Sequence, residues 1–248
     1  SCTGMSAPGL DLQVVELMDL QRNIDRSSVN FMGCYAAIHA MKTADAICRS
    51  DAKARVVIVC TELCTLHFQK EPTADNIASS LLFGDGAAAA LIVPDSVDQS
   101  GWHIDGFYAE IVAKGKKDMA WELSGTGFQM TLSAFIPDLI EEDFEGLTHR
   151  ALAQAGRTKE SIGQWCIHPG GKRILEVIAK TLQLPEDGLK HCYDVLSSCG
   201  NMSSATILFV LQQIINTPPA PSAPGGVFGA AFGPGLTMET FLLTAPGH

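Results

Sequence analysis

Cys34 has a position in the sequence that suits a nucleophile. It lies where the extended, β-prone residues Asn30 to Met32 give way to an Ala-rich helical pattern. A cysteine in the first turn of a helix faces unpaired backbone N–H groups and the positive end of the helix dipole, which both stabilise a thiolate. A small buried core cysteine has the same sequence pattern. A base and an oxyanion stabiliser elsewhere in the chain would favour the nucleophile.

His168 is the best candidate for the base. It ends the short apolar strand Trp165–Ile167, and Pro169 and two glycines follow it. Such an abrupt turn is expected to direct the imidazole into a pocket. A histidine that only fills the core or the surface remains the alternative.

A weak internal repeat connects Cys34 with Asn201. In the first copy, Gly33-Cys34 is followed by a helix, strand 56–60 and the sequence Phe83-Gly84-Asp85-Gly86. In the second copy, Gly200-Asn201 is followed by a helix, strand 226–231 and Phe232-Gly233-Pro234-Gly235. The repeat predicts two similar α/β halves whose helix starts meet at one central point. The polar stretch 95–101 separates the predicted halves, 1–98 and 99–248.

Hydrophobic periodicity predicts the elements that position these residues. We expect helices at 10–20, 34–48, 137–155 and 201–215, a further helix after Gly171, and a strand at 56–60 that is buried on both faces. A strand pair is expected within 102–128, around the basic turn 114–117.

Composition limits the possible classes of protein. The chain has 248 residues, of which 46% are hydrophobic and 18% charged, so it can bury a sizeable core. The formal charge is -10 and no long basic run occurs, so we expect no nucleic-acid partner. No apolar run reaches the length of a membrane span. Eight cysteines without paired C-x-x-C spacing, and no signal peptide, predict reduced thiols and a cytoplasmic protein.

Five ordered motifs resemble type III polyketide synthases, the chalcone synthase-like enzymes of the thiolase superfamily. They are Gly33-Cys34, the 83–89 run Phe-Gly-Asp-Gly-Ala-Ala-Ala, the 168–171 run His-Pro-Gly-Gly, the 200–205 run Gly-Asn-Met-Ser-Ser-Ala and the 233–240 run Gly-Pro-Gly-Leu-Thr-Met-Glu-Thr. The resemblance covers essentially the whole chain. The family's chains begin roughly 100 residues earlier, so we expect that this sequence lacks that segment.

The resemblance implies a thiolase-like α/β fold of two similar halves, with five-stranded mixed sheets and buried central helices in layers. It implies a homodimeric acyltransferase that needs no permanent cofactor and takes coenzyme A thioesters through a tunnel. Cys34 would carry the acyl starter, and His168 would pair with the Cys34 thiolate. His168 and Asn201 would hold the thioester carbonyl of malonyl-CoA during decarboxylation.

The resemblance also implies a substrate-binding set. Phe83 matches a gating aromatic residue and Phe128 a second one. Gly170 and Gly171 match the backbone along which the pantetheine arm passes, and Ser203 matches a cavity position. His67, with Cys64 nearby, replaces a small threonine of plant members, which indicates a microbial branch.

Two other classes of protein remain open. A ketoacyl-ACP synthase of the initiating kind shares the Cys–His–Asn set, although its histidine is typically followed by Gln-Ala-Asn. A metal-binding protein is suggested by the spacing of Cys60, Cys64 and His67, but no fourth ligand follows. Lys172 and Arg173 would meet the phosphates of coenzyme A or lie on the solvated surface.

Overall fold

The computed structural model of the protein describes residues 1–4, 6–125, 127–217, 219 and 223–247. The helices in these residues are α1 Leu10–Leu17, α2 Ala36–Ser50, α3 Ala74–Leu82, α4 Ile136–Gln154, α5 Lys172–Thr181, α6 Lys190–Cys199 and α7 Thr206–Asn216. The strands are β1 Val56–Leu63, β2 Asp85–Ile92, β3 His103–Ile111, β4 Met119–Ser124, β5 Gly127–Leu132, β6 Ile162–Ile167, β7 Gly226–Gly233 and β8 Thr237–Thr244. No helix among the described residues is both long and apolar enough to cross a membrane.

The strands form one mixed sheet and two hairpins. The sheet has the order β3-β8-β7-β6, in which β6 and β7 are parallel and the other pairs antiparallel. The strand pairs β1–β2 and β4–β5 are separate antiparallel ladders. The expectation of five-stranded sheets is therefore wrong for the described residues. Strands β4 and β5 pair only with each other among the described strands and do not join the larger sheet.

The predicted repeat is confirmed in the order of the elements. A one-turn 3₁₀ segment, Gly33–Tyr35, leads into α2 and then into the antiparallel pair β1–β2. A second 3₁₀ segment, Ser203–Ala205, leads into α7 and then into the antiparallel pair β7–β8. The first copy is longer because residues 63–82 hold a further 3₁₀ segment, Cys64–His67, and α3. The predicted boundary near residue 98 falls between β2 and β3 and stays a prediction.

Two helices form the buried centre of the fold, as predicted. α2 packs against β1 and β8, and α7 packs against β2 and β6. Ile38 and Met41 of α2 and Ile207 and Val210 of α7 are buried. The 3₁₀ segments that precede the two helices contact each other, so the amino-terminal ends of α2 and α7 meet inside the protein.

Strand β1 is less buried than its apolar sequence predicts. Ile58 and Cys60 are buried, but Val57 and Val59 are 63% and 42% exposed. The inner face of the pair β1–β2 packs against α2 and α7, while in the described residues nothing covers the alternating outer positions. The prediction that both faces of this strand are buried is therefore wrong.

The region 102–128 also differs from its prediction. β3 pairs with β8, with His103 opposite Thr244, and not with the strand that follows the basic turn. Strand β4 pairs instead with β5. Strands that are neighbours in the sequence were expected to pair, but the apolar strand β8 offers β3 a longer partner.

Helix α6 is not among the predicted helices, since few of its residues are apolar and only Cys192 and Val195 are buried. Helices α1, α4 and α5 are confirmed, although α1 ends earlier than predicted.

Candidate active site

A cavity of about 840 Å³ lies where the starts of α2 and α7 meet the end of β6. The β4–β5 hairpin forms part of its wall. All the site residues predicted from the sequence line this one cavity: Cys34, Cys64, His67, Phe83, Phe128, His168, Gly170, Gly171, Asn201 and Ser203. The fold thus brings together side chains from both halves of the chain.

A tight turn positions Cys34 at the start of the α2 region. Gly33 has a φ of 74°, and a Cβ atom there would lie 2.3 Å from the Cδ atom of Pro234. Only glycine fits such a left-handed position in close contact with a proline ring. The Cys34 Sγ atom lies 3.9 Å from Oδ1 of Asn201, a long S–H···O contact. The turn therefore fixes the thiol beside the asparagine.

The side-chain amide of Asn201 has a defined orientation. Its Oδ1 atom accepts a hydrogen bond from the backbone N–H of Ser203 at 2.8 Å. The Nδ2 group must therefore point the other way, and it lies 3.5 Å from the carbonyl oxygen of Gly170, at the limit of a hydrogen bond. Asn201 is only 2% exposed. Its amide is thus a buried donor with one weak partner.

The turn after β6 holds His168 at the cavity. The backbone N–H of His168 donates to the Ala230 carbonyl at 2.8 Å, and the N–H of Gly170 donates to the His168 carbonyl at 2.9 Å. The residue is 1% exposed, and within the described part of the chain neither ring nitrogen has a hydrogen-bond partner. The pairing of His168 with the Cys34 thiolate therefore stays a prediction. Neither nitrogen is thus committed to a hydrogen bond within the described residues.

Burial keeps both Cys34 and His168 neutral. The Cys34 side chain meets the cavity but is otherwise enclosed, and this burial is the main reason that its pKa is raised to about 12. Hydrogen bonds with Ser203 and Asn201 lower the pKa, whereas the nearby Cys2 and Glu62 raise it. Burial lowers the pKa of His168 to about 3. The predicted stabilisation of a thiolate by the helix start is outweighed, because burial raises the pKa of Cys34 by more than the local hydrogen bonds lower it.

A buried carboxylate that sequence analysis missed lies behind the cysteine. Glu62 is 0% exposed and accepts hydrogen bonds from the N–H of Cys2 at 2.9 Å and from the hydroxyl of Thr3 at 2.8 Å. The hydroxyl of Ser204 also donates to it. Glu62 therefore ties the first residues of the chain to β1 and to the 3₁₀ segment before α7. The signal for it was a single acid in an otherwise uncharged β-strand, Val56–Leu63.

The segment Cys64–His67 forms another part of the wall. The N–H and the hydroxyl of Thr65 donate to the Asp85 carboxylate at 2.8 and 2.6 Å, and these bonds lower the pKa of Asp85. The ring of His67 contacts Trp121 edge to face, with 4.9 Å between ring centroids. Sequence analysis missed Trp121, although alternation along β4 would place it with Met119 on one face.

Two further sequence features, a possible metal site and a basic pair, were considered near the cavity. Cys60, Cys64 and His67 do not form a possible metal site, and no other group of three such ligands occurs among the described residues. Lys172 and Arg173 line the cavity but form ion pairs with Glu176 at 3.5 Å and with Asp138 at 2.7 Å. Both basic side chains are largely exposed.

Known proteins match nearly the whole length of this chain. Residues 1–96 match the family model described as chalcone and stilbene synthases, N-terminal domain, and residues 105–246 match the corresponding C-terminal domain. The chain is 31% identical over 244 residues to "Probable polyketide synthase 1" of Dictyostelium discoideum. This match covers 96% of this chain and 8% of that protein. It is 30% identical over 244 residues to "Alpha-pyrone synthesis polyketide synthase-like Pks18" of Mycobacterium tuberculosis. This match covers 97% of this chain and 62% of that protein.

A solved structure shows the same fold. The C-terminal type III polyketide synthase domain of "Steely1" from Dictyostelium superposes with a TM-score of 0.91 at 29% sequence identity. The match covers 99% of this chain and 69% of that chain. The two curated relatives named above are longer, and this chain spans less than two thirds of the length of each.

Proposed function

This chain belongs to the chalcone and stilbene synthase family, and we propose that it acts as a type III polyketide synthase. The enzyme loads an acyl group from an acyl-CoA and extends it by decarboxylative condensation with malonyl-CoA. It then cyclises the chain to a pyrone or a phenolic product. No tightly held cofactor is needed, since the coenzyme A thioesters are substrates.

One observation carries the proposal. The thiol of Cys34, the unpaired imidazole of His168 and the oriented amide of Asn201 line one largely apolar cavity. A thiol with a base and two hydrogen-bond donors is the set that acyl transfer through a thioester requires. None of these three side chains is a carboxylate, so the set itself adds no negative charge beside the thioester carbonyl.

In the loading step, the Cys34 sulfur attacks the acyl-CoA carbonyl. Because the resting pair is neutral, the thiol proton moves to His168 as the C–S bond forms. The tetrahedral intermediate collapses by expelling the coenzyme A thiolate, which takes the proton back from the imidazolium. The products are acyl-Cys34 and free coenzyme A, and His168 is again neutral.

In the extension step, the thioester carbonyl of malonyl-CoA accepts hydrogen bonds from an N–H of His168 and from Nδ2 of Asn201. Loss of carbon dioxide leaves an enolate whose oxygen is stabilised by these two donors. The enolate carbon attacks the acyl-Cys34 carbonyl and expels the Cys34 thiolate, which takes up one proton from solvent to become the neutral thiol again. A ketoacyl-CoA two carbons longer results, and its transfer to Cys34 starts the next cycle.

The other lining residues have supporting roles in this proposal. Phe83 and Phe128 gate the passage between entry and cavity, and Gly170 and Gly171 let the pantetheine arm approach the backbone closely. Cys64, His67 and Ser203 shape the space in which the chain folds.

We further propose a homodimer, in which each protomer is built from the halves 1–98 and 99–248. Eight free cysteines support a reducing, cytoplasmic location. Light scattering of the purified protein at several concentrations tests the dimer, and a mass that stays at one chain contradicts it.

Acyl loading tests the proposed function directly. Wild-type protein incubated with hexanoyl-CoA is expected to gain one hexanoyl group by intact mass, and Cys34→Ala is expected to gain none. Cys199→Ser is the matched control, because this thiol does not line the cavity. Loading that persists in Cys34→Ala, or wild-type protein that never loads from a panel of acyl-CoAs, contradicts the proposal.

A further inference from the structure

Two ring nitrogens in the cavity wall have no use in the chemistry described above. They are Nε2 of His67 and Nε1 of Trp121, and both are buried without a hydrogen-bond partner among the described residues. Both side chains line the cavity that contains Cys34. A buried polar group without a partner destabilises the folded protein, so such groups are rare in native proteins. Two of them in contact on one wall indicate a ligand.

The two rings are held firmly in place. Trp121 lies parallel to Phe128, with an interplanar angle of 4° and ring centroids 5.9 Å apart, and Phe128 in turn contacts Phe31 at 5.1 Å. His67 ends the 3₁₀ segment that the Thr65–Asp85 hydrogen bonds anchor. Ordering of these side chains therefore does not have to accompany binding.

We propose that Trp121 and His67 form a subsite that binds keto oxygens of the growing chain while it is tethered to Cys34. This inference rests on the proposed function. An indole N–H can only donate a hydrogen bond, so its ligand must present an acceptor. A chain built from two-carbon units carries a keto oxygen on alternate carbons. Nε2 of His67, in its N–H tautomer, donates to the same or the neighbouring keto oxygen.

The surroundings of the subsite favour a neutral, flat ligand of this kind. The part of the wall in contact with the two rings includes the aromatic rings of Phe31 and Phe128. In an apolar pocket, a small number of fixed polar groups decides how a ligand is oriented. The subsite therefore selects one folded arrangement of the growing chain. That arrangement favours one ring closure, and it disfavours release of uncyclised products.

Trp121→Phe tests the indole half of the subsite. Phenylalanine keeps a ring that can stack on Phe128 but removes the N–H donor. Products from hexanoyl-CoA and malonyl-CoA are quantified by liquid chromatography and mass spectrometry, and the ratio of the main cyclic product to all other products is compared. We expect a three- to tenfold fall in this ratio, as the loss of one hydrogen bond predicts. Trp102→Phe, the same change outside the cavity, is expected to keep the wild-type ratio.

His67 provides an independent pair of variants. His67→Gln keeps an N–H donor, whereas His67→Phe keeps only a ring, so the first should retain the product ratio better than the second. An unchanged ratio in Trp121→Phe, or equal ratios in the two His67 variants, overturns the inference. If Trp121→Phe no longer loads hexanoyl-CoA, the His67 pair decides. Failure of the wild-type protein to load any acyl-CoA would instead contradict the proposed function.

Discussion

Phe83 and Asn201 are joined through their backbones in a parallel bridge. The N–H of Gly84 donates to the Asn201 carbonyl at 3.0 Å, and the N–H of Asn201 donates to the Leu82 carbonyl at 2.9 Å. The proposed gate and the proposed oxyanion donor thus belong to one rigid unit, although 117 residues separate them in the sequence. A displacement of one backbone is therefore expected to displace the other.

Gly84→Ala tests this coupling. A Cβ atom at Gly84 would lie 2.7 Å from the Cys199 carbonyl oxygen, so the bridge has to shift. We expect malonyl-CoA decarboxylation to fall at least tenfold, because a small misplacement of Asn201 weakens its hydrogen bond to the enolate oxygen. Release of labelled carbon dioxide measures the rate. Gly101→Ala is the control, since no atom lies within 4 Å of its Cβ position. Equal rates in the two variants would show that the bridge does not position Asn201.

Asn201→Ala and Asn201→Asp separate donation from packing. Alanine removes the Nδ2 donor and is expected to slow decarboxylation by about 10²- to 10³-fold. Aspartate keeps the size and still accepts from the Ser203 N–H, but its second oxygen faces the Gly170 carbonyl and the developing enolate. It should therefore be at least as slow as alanine. Aspartate with a rate near that of the wild type would mean that Asn201 acts only through packing.

Alkylation by iodoacetamide measures the protonation state of Cys34. With a pKa raised from 9.0 to about 12, the thiolate fraction at pH 8 is about a thousandfold lower than for an ordinary thiol. We expect slow modification of the Cys34 peptide that rises about tenfold per pH unit between pH 8 and pH 10. Mass spectrometry of the digested protein follows this one site. Alkylation of the partly exposed Cys199 is the internal reference. Fast, pH-independent alkylation from pH 5 to pH 8 would instead indicate a preformed ion pair with His168.

The buried His168 is expected to make the protein sensitive to acid. Its pKa is about 3 in the folded protein and 6.5 as the ordinary value, so its contribution to stability is present above pH 6.5 and is lost as the pH falls toward 3. At pH 5 the loss amounts to about 2 kcal/mol. When the pH falls from 7.5 to 5, the free energy of unfolding, measured in urea, decreases in both proteins. The decrease should be about 2 kcal/mol smaller in His168→Asn than in the wild type. His149→Asn, on the surface of α4, is the control and should follow the wild type.

The sequence by itself determined the local elements and the chemical groups of the site. Helical periodicity predicted α4 and α5, and the glycines at positions 33 and 200 marked the turns before the two buried helices. These features are encoded within a few residues, because backbone preference and amphipathic spacing are local properties. The motifs around Cys34, His168 and Asn201 likewise named groups that the structure places around one cavity.

Only the tertiary structure decided which strands pair and what surrounds each group. β3 pairs with β8 rather than with β4, because strand partners are chosen by packing between distant segments. The neutral state of Cys34 and His168 depends on burial by many residues, which overrides the local effect of a helix start. The bridge between Phe83 and Asn201, and the contact of His67 with Trp121, exist because long-range packing brings separate segments together.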